Sequence, residues 1–233
     1  MDSVELVVVA SPFANLAPLY EVDPDADTLL IVPPSTQPFA PWDEHQINGV
    51  NGVHKATTSQ PGLRLKVSSR HLALASRVFN TKLQFGSSKS TRQADGRVHL
   101  RLAEGFGAEA ITIVMNAIHS RGSKVPKTVD VETLAQIAFF VDRFQLLDAV
   151  EVYAERWISK LENSLPSAYN RDLILWLYIS HVFRQPDIFK AATKTAAAHA
   201  PGPIQTLGLP IREKIISKPS PPIPHQPHHA YKY

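Results

Sequence analysis
The residues that could do chemistry are few, and each set has a simpler reading. Gly105-Phe106-Gly107-Ala108-Glu109-Ala110 fits the pattern G-x-G-x-x-A. Such glycines let backbone approach a pyrophosphate at a helix N-terminus. The segment follows a strand pattern and opens a helical one, as that chemistry requires. The element after the helix reads as a second helix, however, so no βαβ unit closes. Glu109 also places negative charge in the first turn, where a phosphate would be repelled. A plain strand-to-helix turn accounts for the same residues. Ser69, His71 and Asp27 are the residue types of a hydrolytic triad. No G-x-S-x-G turn accompanies them, and helix capping is the simpler use of the serine. His225, His228 and His229 have metal-ligating side chains but lie in a proline-rich tail, where metal would be caught adventitiously. No catalytic residue, cofactor site or dedicated metal site is therefore expected. Arg70, Arg77, Lys82, Lys89, Arg92, Arg97 and Arg101 form a basic region. It lacks the interleaved aromatics of a single-strand binder and reads as a solvated face, or as a surface for an acidic protein partner.

The chain has 233 residues, 44% of them apolar, and a net charge of +3 from 24 basic and 21 acidic residues. That length suits one domain with extensions, and the charge excess is too small to argue for nucleic acid. With no cysteine, disulfides, thiolate metal sites and cysteine nucleophiles are excluded. Asp2 and Glu5 stand where a signal peptide carries basic residues. No apolar run approaches the ~20 residues of a membrane helix. A soluble, intracellular protein with no membrane partner is expected.

The elements that would position these residues are organised around Leu63 to Leu83. Leu63, Leu65 and Val67 alternate with Arg64 and Lys66, the period of a half-buried strand. Ser68 or Ser69 then caps a helix whose apolar positions are Leu72, Ala75, Phe79 and Leu83. Upstream, Val4 to Ala10 suits a short strand. Thr28-Leu29-Leu30-Ile31-Val32 suits a central strand covered on both faces and stopped by Pro33 and Pro34. Residues 35–62 have no sustained period and read as a long surface loop. Downstream, Arg97 to Leu102 is a third strong strand, and Ala108 to His119 a helix. Asp130 caps a helix with Leu134, Ile137, Ala138 and Val141 inside. After a turn at Leu147 and Asp148 comes a helix through Trp157, then an all-apolar helix from Asp172 to Phe183 stopped by Pro186. The last helix runs from Asp187 to Ala200. The prolines from Pro201 onward predict a tail that does not pack. Three early strands and late helices give an α+β layout, a small sheet capped by a cluster of α-helices. The expected divisions are an arm at 1–24, a domain at 25–200 with the 35–62 loop and a C-terminal helical extension, and a disordered tail at 201–233.

This order resembles the BTB/POZ family, its fungal members closely, over about Asp27 to Ala200. The resemblance is carried by Asp27 to Val32, by Leu65 to Phe79, by the helix ending in Ile118-His119, and by Leu134 to Phe144. Glu151 to Trp157 and Arg171 to Trp176, followed by Phe183-Arg184-Gln185-Pro186, extend it. Where animal members carry a His-Arg pair, this chain has Ser68-Ser69. The resemblance implies a non-catalytic protein–protein interaction module: a self-associating scaffold forming a homodimer, a substrate adaptor for a cullin-type ubiquitin ligase, or a recruiter of corepressors. Family adaptors hold the cullin with a hydrophobic residue followed two positions later by glutamate. Here Phe106 is followed three positions later by Glu109. Phe106, Glu109, Arg70 and Arg77 are the candidate partner-binding residues. A nucleotide-binding enzyme using Gly105 and Gly107 is the remaining alternative.

Overall fold
The computed structural model describes residues 7–8, 17–42, 61–86 and 92–211. In chain order its elements are strands β1 (Val7–Val8), β2 (Leu19–Glu21), β3 (Thr28–Val32) and β4 (Leu63–Val67), then helices α1 (Ser69–Ala75) and α2 (Arg77–Gly86). Strand β5 (Val98–Arg101) follows, then helices α3 (Ala108–Ile118), α4 (Val131–Phe144), α5 (Leu147–Leu161), α6 (Arg171–Val182) and α7 (Pro186–His199).

The uncharged run of β3 lies at the middle of one sheet, in the order β1-β5-β3-β4-β2, and all five of its residues are buried. β4 runs antiparallel to it, with Leu30 opposite Leu65. β5 runs parallel on the other side, with Leu30 opposite Leu100. Helices α1 and α2 carry the chain between these two strands, since a β3-parallel strand beyond β3 cannot be reached by a tight turn. Period-2 alternation then sorts the side chains. Leu30, Val32, Leu65, Val67, Leu100 and Leu102 join the helices in the main core, while Leu29 and Ile31 form a separate small cluster. The α+β layout expected from the sequence is thus the one observed.

Several expectations need correction. The helix foreseen from Ser69 to Leu83 is two helices, broken at Ser76, whose backbone is extended (φ −141°, ψ 122°). Apolar spacing carried across the break because both Leu72 and Phe79 are buried. Neither serine hydroxyl foreseen as the α1 cap is shown bonding an α1 backbone N–H: Ser68 makes no side-chain capping bond. Asp27 does that work from 42 residues away, accepting the Ser69 N–H at 2.7 Å. The turn placed at Leu147-Asp148 falls at Gln145-Leu146, with Gln145 left-handed (φ 54°). Pro186 starts α7 at its first position, where a missing N–H costs nothing, instead of only ending α6. The Asp130 cap is as expected, accepting from Thr133 N at 2.6 Å. So is the all-round burial of α6, which packs between α4 and α7.

The expected boundaries at 25 and 200 both move outward. β2, inside the expected arm, pairs parallel with β4. Three residues are too short to show a period. Val7 and Val8 pair antiparallel with Arg101 and Leu100 of the same chain. At the other end, Ile204, Leu209 and Ile211 are buried in the main core, so the tail packs as far as Ile211. Each such aliphatic side chain contributes roughly 1.5–3 kcal/mol on burial, enough to hold a proline-punctuated segment that has no secondary structure. Residues 212–233 and the tail histidines lie outside the described residues.

The start of the 35–62 loop is likewise not loose surface. Arg171 donates from Nε to the Ala40 carbonyl and from Nη2 to the Phe39 carbonyl, both at 2.9 Å, and pairs with Glu132 at 3.1 Å. Phe39 meets Phe139 edge-on, and Trp42 lies against Tyr169, whose hydroxyl accepts from Gln205 N at 3.0 Å. Tyr169 is therefore where the loop and the tail meet the helices. Residues 43–60 lie outside the described residues.

Candidate functional site
The four candidate partner-binding residues fall into two groups. Phe106 is 7% exposed, its ring enclosed by Phe139, Phe140 and Phe144 at centroid distances of 5.2, 5.5 and 5.7 Å. Its side chain belongs to the core and offers a partner almost nothing. Glu109 is exposed in the first turn of α3, where the helix dipole favours a carboxylate. Gly105 takes a left-handed backbone (φ +95°), which lets the chain leave β5 and turn Phe106 inward. After α3 comes α4, so β5 and α3 are not followed by a further parallel strand.

Arg70 and Arg77 are exposed, and among the described residues neither takes part in an ion pair. Leu74, one turn beyond Arg70 on α1, is 89% exposed, more than Leu19 or Val152, the other large exposed hydrophobics among the described residues. The rest of the expected basic region divides. Arg92 donates to the Gly96 carbonyl, Arg97 to the Ala26 carbonyl, and Asp95 takes ion pairs from Arg97 and His99. Those side chains brace the turn into β5. Lys89 lies outside the described residues.

The junction between β4 and α1 brings together residues that the sequence separates widely. Both carboxylate oxygens of Asp27 are engaged there: Oδ1 by the Ser69 N–H, Oδ2 by the Ser69 hydroxyl at 2.5 Å. Burial alone would raise the pKa of this carboxyl, but the bonds from Ser69 and Thr28 outweigh it and hold it below its usual value. Asp27 and Ser69 are thus in contact, with no imidazole between them. His71 stacks instead on His119, ring centroids 4.8 Å apart. The triad geometry is absent at this place, because a relay needs the histidine between serine and carboxylate.

His119, at the end of α3, has both ring nitrogens engaged. Nδ1 lies 2.8 Å from the Met115 carbonyl, and Nε2 accepts the Ser68 N–H at 3.0 Å. A carbonyl accepts only, so the proton sits on Nδ1 and the ring is neutral. Burial, reinforced by the charges of His71 and Arg121, lowers its pKa against the opposing pull of the Met115 carbonyl and Asp23. His71 Nδ1 is buried with no hydrogen-bond partner. Val22, Asp23, Pro24, His71, His119 and Arg121 line a cavity of ≈ 330 Å³. Nothing local in the sequence marks this grouping, because 48 positions separate the two histidines and a similar distance separates Asp23 from His71.

Among the described residues no helix is long and apolar enough to cross a membrane. No protein-family model matches the chain, and no curated protein does.

Proposed function
We propose that this chain is a BTB/POZ-like protein–protein interaction module that performs no catalysis and self-associates through its α1–α2 surface. The observation that carries the reading is topological. An antiparallel β3–β4 pair is followed by the α1–α2 hairpin, then by β5 parallel to β3, then by an unbroken series of helices. That succession agrees with the family resemblance of Asp27 to Ala200. The surface is chosen by Leu74, an exposed leucine on α1 between Arg70 of α1 and Arg77 of α2, neither of which is in an ion pair among the described residues. The arm strand β1 already pairs with β5 of its own chain, which leaves α1–α2 as the better face for a second copy. A cullin-adaptor role has less support, because the hydrophobic half of that contact, Phe106, is enclosed.

Light scattering on the full chain and on Leu74→Asp tests the reading. A dimer that the substitution converts to monomer, with unchanged circular dichroism, is expected. A native chain that stays monomeric at its highest soluble concentration overturns self-association. Binding of a purified cullin, lost in Glu109→Lys, would reverse the ranking of the two partner readings. Saturable thermal stabilisation by a nicotinamide or adenine nucleotide would instead favour an enzyme using the Gly105–Gly107 turn.

A further inference from the structure
We propose that Asp23, His71 and His119 form a binding site for a divalent transition-metal ion of the zinc class. Their donor atoms lie within 4.8 Å of one another. They come from three separate places, the turn after β2, helix α1 and the end of α3, so the ion would tie the sheet edge to both helices. Two imidazoles and one carboxylate favour zinc-like ions over magnesium or calcium, which prefer oxygen ligands throughout.

The tautomer of His119 suits this use. Donation from Nδ1 to the Met115 carbonyl leaves the lone pair on Nε2, the arrangement outer carbonyls impose on metal-bound histidines. That lone pair accepts the Ser68 N–H, so a partial positive charge already occupies the direction a cation would take. The ion has to displace this bond, and the N–H it frees needs a water as its new partner. His71 brings a buried Nδ1 that no group satisfies. Asp23 spends Oδ1 on the Asp25 N–H at 2.9 Å and keeps Oδ2 for the ion. The opposing charge is Arg121, whose Nη1 is turned onto the Glu21 and Val22 carbonyls at 2.6 and 2.8 Å. Its presence on the cavity wall suits a fourth ligand that is water or an anion. Around tetrahedral zinc, with bonds of about 2.0–2.2 Å, donors stand about 3.3–3.6 Å apart. The cluster must tighten by about an ångström, and because the His71 and His119 rings are stacked with planes 30° apart, the His71 ring has to turn along with the half-buried Asp23 side chain to aim its lone pair at the ion.

Cobalt(II) titration of the full chain, followed by displacement with zinc, tests the site, since cobalt reports coordination in its visible absorption. One equivalent with the intense bands of a four-coordinate site is expected. Affinity should fall at least about tenfold in His71→Gln and in Asp23→Asn. It should be unchanged in the triple variant His225→Gln, His228→Gln, His229→Gln. Without metal, both single variants should melt with the native chain, which separates ligand loss from unfolding. The proposal is overturned by the absence of saturable binding. It is equally overturned by binding that survives both single variants and disappears with the tail histidines.

Discussion
Ser76 is the residue on which the break between α1 and α2 depends, and removing its hydroxyl is the sharpest test of how the helical layer is held. The residue is 1% exposed. Its Oγ donates to the Phe144 carbonyl at 2.5 Å and accepts from the Phe79 N–H at 3.0 Å. Both are groups that a helix leaves unpaired at its ends: a last-turn carbonyl of α4 and a first-turn N–H of α2. One hydroxyl thus caps one helix and closes another across 68 positions. Ser76→Ala strips both bonds at a site that solvent does not reach. A buried polar group left unpaired costs about 1–3 kcal/mol, so two of them give a loss of roughly 2–6 kcal/mol, with ~4 kcal/mol as the central expectation. Urea unfolding followed by circular dichroism measures it from the midpoint at constant slope. Ser68→Ala is the matched control. Its side chain makes no capping bond, and it should stay within ~0.5 kcal/mol of the native chain. A Ser76→Ala loss below about 1 kcal/mol, or a Ser68→Ala loss as large as that of Ser76→Ala, would refute the reasoning.

Asp27 predicts an acid dependence. Its carboxyl is lowered in the folded chain relative to an ordinary value near 3.8, so below that pH the unfolded chain binds the extra proton. The stability it contributes is full above the unfolded pKa and lost as pH falls through the folded one. Asp27→Asn should therefore lower stability at neutral pH and flatten the profile below pH ~4, as read from melting temperature against pH. Arg171→Ala should free the Phe39 and Ala40 carbonyls, change Trp42 fluorescence and make residues 36–42 more susceptible to limited proteolysis. Arg171→Lys should restore this only in part, because an ammonium lacks the planar fork that reaches both carbonyls. Leu209→Ala should cost about 2–3 kcal/mol in urea unfolding, because Leu209 is 5% exposed in the main core. A chain ended at Ala200 should likewise unfold at lower urea, and one as stable as the full chain would show that the packed tail contributes nothing.

The sequence by itself determined the elements whose patterns are local. Alternation marked β4 and β5, an uncharged run marked β3, and three-and-four spacing marked α3, α4, α5 and α6. Asp130 was legible as a cap because cap and helix are adjacent. From these the α+β class follows. Only the tertiary structure decided what depends on groups far apart in the chain. Apolar spacing continues through Ser76, so the break is visible only once the Phe144 carbonyl arrives to take its proton. Ser68 and Ser69 are good local capping candidates, yet the carboxylate of Asp27 is a stronger acceptor and strand pairing brings it within reach. Phe106 looks like a side chain offered outward from a glycine turn until three aromatic rings of α4 enclose it. Residues 36–42 and 201–211 carry no period because none of them belongs to a helix or strand. Isolated side chains such as Ile204 and Leu209, and the two carbonyls in the grip of Arg171, fix them. The Asp23, His71 and His119 cluster was illegible for the same reason. A site assembled from three elements has no spacing in the sequence, and the folded sheet and helices alone create it.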